Sequence, residues 1–432
     1  MTAEQIRLSQ RILNMQESAT IKMSAMAREL RAEGHDVISL SLGEPDFDTP
    51  DHIKEAAKKA LDDGFTKYTP VPGLLELREA ICAKFARDND LHFKPTQIVV
   101  SNGAKQSVAN LSLVLLNEGD EVLVLAPFWV SYYEIIKLGG GTPVVLKAGI
   151  EQDFKVSAAQ IEAAITDKTK MMIFSSPCNP TGSVYTKEEL KAIADVIAKH
   201  PEVTIVSDEI YEYINFTDAH ASIGAFDNVR EQTVTINGFS KGFAMTGWRL
   251  GYIGAPQWIA SACAKMQGQL TSGATAFGQM AGAHALTSDL APTHTMRDAF
   301  RKRRDMCIEL LRKIPGFKVN DPQGAFYIFP DISHYFGTSD GNTRVENAND
   351  FAEYLLQNAH VAIVSGSAFG ADNCFRLSYA ASEEQLREAI RRIGVAVAKL
   401  SWNWTTKDTK DTKTKQTQKD TSLLKNFYFE LG

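Results

Sequence analysis

A basic excess is the first thing this 432-residue chain lacks: 46 lysines and arginines face 52 aspartates and glutamates, a formal net charge of -6. Nucleic-acid surfaces gather basic side chains against phosphates, so no nucleic-acid partner is expected. Cysteine is scarce as well. The five present (Cys82, Cys178, Cys263, Cys307, Cys374) are odd in number, widely spaced and contain no C-x-x-C. That spacing excludes a disulfide framework and a zinc site, and all five read as free thiols with no metal bound. Nowhere do about 18 uncharged apolar residues run together, which excludes a membrane-spanning helix. The first residues, Met1-Thr2-Ala3-Glu4-Gln5-Ile6-Arg7, lack the apolar core of a secretory leader. A cytoplasmic location with no membrane partner is expected.

What is present is ordinary for a soluble enzyme: 44% hydrophobic and 23% charged residues in a chain long enough for two or three units. Helical spacing is read at 21–33, 53–63 and 75–88, with a strand at 37–42. From residue 98 apolar strands (98–100, 122–126, 143–146, 171–174, 203–207, 233–236, 249–254) alternate with helical runs. That pattern defines an α/β fold, a mainly parallel sheet with helices on both faces. A long charged helix at 296–313 then leads to a smaller α+β unit. Hairpin-like segments at 317–319 and 325–329, helices at 348–358 and 382–399, and a strand at 374–378 make it up. The stretch 405–421 has no apolar residue and cannot repay the entropy of ordering.

Several side chains stand where strands end. Lys241 follows the run Thr233 to Ile236 and the turn Asn237-Gly238, with no acid close in sequence and a second cation, Arg249, eight residues on. A nearby cation and a sheet edge lower a lysine's pKa and free its amine to attack a carbonyl. On spacing alone, however, a surface lysine fits better. Asp208 closes a buried strand at the edge where open α/β sheets bind ligands, and Tyr211 follows it. Asn179-Pro180-Thr181-Gly182 follows another strand. Gly103, Ala104 and Lys105 open a helix whose N-terminus would suit a phosphate. Trp129 follows a further strand end, as a ring plate or as core. Arg376 sits inside an apolar strand, where it needs an anion: a bound carboxylate, matched by its fork, or an internal acid.

Lys241 with Gly247 and Arg249, the Asp208/Tyr211 pair and the Asn179-Pro180-Thr181-Gly182 turn resemble the pyridoxal-phosphate aminotransferases of fold type I. The likeness is closest to a bacterial branch of aspartate aminotransferase and extends from about Ser18 to about Leu400. It implies a 1–48 segment packing with the small domain, a 49–294 large cofactor-binding domain and a 295–400 small domain. Residues 401–432 then form a disordered, low-complexity tail. A homodimer is implied, with active sites at the subunit interface and amino acids and 2-oxo acids as substrates.

By the same resemblance, Lys241 carries pyridoxal 5'-phosphate and moves the substrate's proton. Asp208 pairs with the ring nitrogen, Asn179 and Tyr211 with the phenolic oxygen, and Trp129 stacks on the ring. Gly103, Ala104, Lys105, Ser240 and Arg249 surround the phosphate, with Tyr68 reaching it from the neighbouring subunit. Relatives often carry a hydroxyl three residues before the lysine, where this chain has Gly238. Arg376 holds the α-carboxylate beside Gly43 and Asn179. The distal carboxylate falls to Ser18, Thr20 and a Lys105 delivered by the partner. Relatives that take prephenate carry a basic residue where this chain has Gln16. Aspartate and 2-oxoglutarate are therefore the expected substrates. Prephenate, aromatic or small neutral amino acids are the alternative, as is a carbon-sulfur β-lyase. A non-catalytic ligand-sensing domain is disfavoured by the complete catalytic set.

Overall fold

A computed structural model describes residues 7–402. A short strand, β1 (Ile38–Ser39), precedes the strands of the main sheet. These are β2 (Ile98–Ser101), β3 (Glu121–Ala126), β4 (Thr142–Lys147), β5 (Thr169–Ser175), β6 (Thr204–Asp208), β7 (Thr233–Gly238) and β8 (Gly251–Gly254). Their order across the sheet is β2-β8-β7-β6-β5-β3-β4. The pairs among β3 to β7 are parallel, whereas β8 runs antiparallel to both its neighbours. Every residue of β2, β6, β7 and β8 is buried, as a sheet covered on both faces requires.

The expected 249–254 strand begins two residues late. Arg249 takes a left-handed conformation, φ 54°, that no strand can include. Two helices that the sequence reading did not assign, Gln257–Leu270 and Ala276–Thr287, complete the cover. The second is rich in alanine and glycine, and its Ala281, Ala285 and Leu286 share a core with Ile53, Leu77 and Ile81.

The rest of the chain supplies β9 (Tyr327–Ile328), β10 (Thr338–Ser339), β11 (Arg344–Val345), β12 (Val361–Ala362), β13 (Val364–Ser365), β14 (Phe375–Ser378) and β15 (Ser401–Trp402). Helices Ala291–Arg312, Ala348–Ala359 and Glu383–Val397 pack with them. β1 pairs in parallel with β12, and Met23, Ala27 and Leu40 enter the same core as Phe351, Leu355 and Ile390.

Two expectations need correction. Residues 317–319 form no strand, only a bridge from Lys318 to Asp331. Ser401 and Trp402, expected to begin the tail, instead pair with Ser339 and Thr338. From 403 onward the tail lies outside the described residues. No helix among the described residues is long and apolar enough to cross a membrane.

Candidate active site

The parallel strands deliver their functional residues to one edge. Asp208 is the last residue of β6, Asn179 follows β5, Trp129 follows β3, and Ser240 and Lys241 follow β7. Ala104 and Lys105 begin the helix Ala104–Leu115 after β2. These side chains, with Tyr211 and Arg249, line a cavity of about 360 Å³. Gly43, Arg376 of β14, and Ser18 and Thr20 at the start of the helix Ala19–Ala32 close it.

Two expected residues stay out of the wall. Gly103 lies just behind, at φ 82°, where any Cβ would collide with the Arg249 guanidinium. Tyr68 is 99% exposed and borders a separate depression with 273–277.

At the centre, the Tyr132 hydroxyl donates to Asp208 Oδ2 at 2.6 Å, and the Ile210 N–H donates to Oδ1 at 3.2 Å. Burial pushes Asp208 up to about 6 even so. The Tyr211 and Tyr327 hydroxyls meet at 2.7 Å. Asn179 Oδ1 accepts from Arg376 Nη1 at 3.0 Å, so its amide donors are what it can offer a ligand.

Lys241 donates to the Gly43 carbonyl. Burial, then the Arg376 guanidinium, lowers its pKa to about 8. Arg249, expected to be the depressing cation, contributes less than Arg376. The reason is placement: Arg249 is exposed and turned toward the carbonyls of Thr246 and Asn102, at 2.9 and 3.3 Å.

Lys105 and Arg249 form the cationic end, beside helix N–H groups that have no intrahelical acceptor. Burial and Arg249 both lower the Lys105 pKa. The Lys105 ammonium lies 5.0 Å from the Trp129 ring centre, in the cavity of its own chain. The expectation that a partner delivers Lys105 is thereby corrected: the first turn of its own helix does so. Gly238 also has a physical reason. A Cβ there would stand 2.9 Å from the Gly251 Cα and 3.0 Å from the Leu250 carbonyl oxygen, so no hydroxyl-bearing side chain fits.

Arg376 is 2% exposed and pairs with no carboxylate among the described residues. Its fork bonds the Ser41 carbonyl and Asn179, its Nε has no partner, and its plane lies 4.6 Å from the Tyr327 ring centre. The internal-acid reading of this arginine therefore falls. Sequence reasoning missed Tyr132, Tyr327, Glu44 and Thr246, all of which line the cavity. Only Tyr132, three residues after Trp129 in the helix that follows the same strand, carried a signal.

The residues fit pyridoxal phosphate. A buried carboxylate without a basic hydrogen-bond partner suits a protonated ring nitrogen, and the Arg249 guanidinium beside the N-terminus of the helix Ala104–Leu115 suits a phosphate. The unpartnered Arg376 Nε suits a carboxylate.

Residues 35–393 match the family described as aminotransferase class I and II, and the chain belongs to it. It is a pyridoxal-phosphate-dependent enzyme on the fold-type I scaffold. Among its relatives, the aspartate/prephenate aminotransferase of Cereibacter sphaeroides is 46% identical over 401 residues, covering 91% of this chain and 99% of that one. The aspartate aminotransferase structure from Rhizobium meliloti superposes with a TM-score of 0.89 at 38% identity, over 91% of this chain and 100% of that one. The Thermus thermophilus aspartate aminotransferase solved with maleate gives 0.85 at 42% identity, over 90% and 99%.

Proposed function

We propose that this chain transfers the amino group of L-aspartate to 2-oxoglutarate, giving oxaloacetate and L-glutamate. The reaction runs in two halves, oxaloacetate leaving before 2-oxoglutarate enters. The observation that carries the reading is a lysine of lowered pKa sharing one cavity with an acid-free buried arginine and a second cation, Lys105. A dicarboxylate needs two such cations, one for each end.

When bound, pyridoxal phosphate supplies an aldehyde carbon that takes and returns the amino group, and a ring that draws off the electron pair of the α-carbon. Lys241 Nζ, lowered to about 8, would take the proton from the α-carbon and deliver it to the cofactor carbon that receives the amino group. Asp208 holds the protonated ring nitrogen, Asn179 and Tyr211 the phenolic oxygen, and Trp129 covers the ring. Ser240, Arg249 and the N–H groups of Ala104 and Lys105 hold the phosphate, with Gly103 making room for the Arg249 guanidinium. Arg376, beside Gly43, fixes the α-carboxylate. Lys105, Ser18 and Thr20 take the distal carboxylate; the Thermus relative was solved with maleate, itself a diacid. A wholly exposed Tyr68 supports a homodimer in which it reaches the phosphate of a second copy.

Gln16, exposed and neutral, favours aspartate over prephenate. The test is the absorption spectrum of the purified protein. Aspartate should remove the yellow band and 2-oxoglutarate restore it. A band that responds to aromatic donors but not to aspartate overturns the substrate, and pyruvate released from cystathionine without an acceptor overturns the reaction.

A further inference from the structure

Behind the cavity lies a second set of charges that the proposed chemistry does not use. The segment Asp208-Glu209-Ile210-Tyr211-Glu212 makes a single turn, with the Glu212 N–H bonded to the Glu209 carbonyl at 2.9 Å. Asp208 and Tyr211 line the cavity, while Glu209 and Glu212 are buried in a separate polar cluster. Glu212 meets Lys84 in a fully buried ion pair. Lys84 also donates to Asn89 Oδ1 at 2.6 Å, and Asn89 Nδ2 bridges Glu212 Oε2 at 2.8 Å and Glu209 Oε2 at 3.1 Å. Ser222 and Ser207 donate to Glu209 at 2.6 and 2.9 Å. His220 Nε2 lies 2.8 Å from Glu209 Oε2.

Glu209, Glu212 and His220 are close enough to hold a metal ion, their ligand atoms lying within 4.8 Å of one another. The Lys84 ammonium already sits on Glu212, however, and fills the place of the cation. With His220 protonated, two carboxylates face two cations and the cluster sums to zero. Burial disfavours that imidazolium, but the Glu209 carboxylate outweighs burial and raises the His220 pKa. The His220 Nδ1 has no partner, so Glu209 is the main support of its charge, with Glu212 adding and Lys84 opposing. Asp88, Tyr213 and Tyr252 complete the titratable surroundings, and burial holds both phenols in their neutral form.

We propose that the buried Glu209–His220 ion pair is a positioning device that sets how firmly the adjacent Asp208 holds the ring nitrogen of the bound cofactor. The inference rests on the reading of Asp208 as that nitrogen's partner. Glu209 is the nearest like charge to Asp208 along the chain and favours its protonated form, and an imidazolium bonded to that carboxylate would offset its negative charge.

The test is retention of pyridoxal phosphate by the holoenzyme after gel filtration between about pH 4 and 7, read by absorbance. His220→Gln leaves the carboxylate unbalanced, so the acid midpoint for cofactor loss should rise by roughly half to one pH unit. Adding Glu209→Gln to that variant should bring the midpoint back to the wild-type value or below, a rescue that a merely structural role would not produce. A midpoint unmoved by His220→Gln, or a double variant no better than the single, overturns the inference. If His220→Gln does not fold, Glu209→Gln alone decides, since a raised midpoint there overturns it. Asp208→Asn separates the two layers. If that variant keeps the wild-type pH dependence of retention, the underlying reading of Asp208 has failed; if it removes the dependence, a failure of the His220 series belongs to the ion pair alone.

Discussion

Tyr132 reaches Asp208 with its hydroxyl at 2.6 Å from a different part of the sheet, the helix that follows β3, and both groups are buried. The bond opposes the burial that otherwise drives the Asp208 carboxyl up. Tyr132→Phe should therefore raise Asp208 further above about 6, by roughly one unit. The acid limb of the kcat/KM profile should shift upward, with little change above about pH 8. A profile lowered equally at all pH values would show that the hydroxyl does not tune the carboxylate.

The lowered pKa of Lys241 makes a prediction about stability that needs no catalysis. Its folded value, about 8, lies below the ordinary 10.5, so between those values the unfolded chain binds more protons than the folded one. Stability of the cofactor-free protein should accordingly rise with pH across that window. Lys241→Met should flatten the rise while abolishing turnover. Denaturant titrations at three pH values compare the two proteins, and equal slopes would contradict a buried, perturbed amine.

Gly238 stands where relatives often place a hydroxyl, but the backbone of Gly251 and Leu250 occupies the space of a side chain. Gly238→Ser should cost about 1–3 kcal/mol of stability and lower the thermal midpoint, without tightening the hold on the cofactor. Calorimetry with a cofactor-binding measurement checks both parts.

Much of this architecture was readable because its centre is fully buried. The strands Ile98–Ser101 and Thr204–Asp208 have no solvent face, so short apolar stretches, 98–100 and 205–206, mark them, and Asp208 closes the second. The strand proposed from Arg249 failed because nothing in its side chain announces a left-handed backbone. Tyr327 was invisible for another reason: beside Phe326 it looks like core, and its contact with Tyr211 spans 116 positions. The Lys84–Glu212 pair is likewise remote in sequence, and a lysine within the helix Leu75–Asn89 reads as solvent-facing until its neighbours are known. Lys105 misled in the opposite sense, since its helix presents it to its own cavity without a second subunit.

The antiparallel run of β8 joins Lys241 and Arg249 into the tip of one hairpin, with Asn237 opposite Tyr252 and Gly238 opposite Gly251. The ladder ends at Gly238 and Gly251, so the turn 239–250 that carries both the Lys241 amine and the Arg249 guanidinium starts from a fixed register. Losing one residue from 242–248 while that tip kept its shape would slip the ladder by a single step and turn the side chains of β8 to the opposite face. A one-residue deletion within 242–248 should therefore disturb the cavity more than a substitution at its rim.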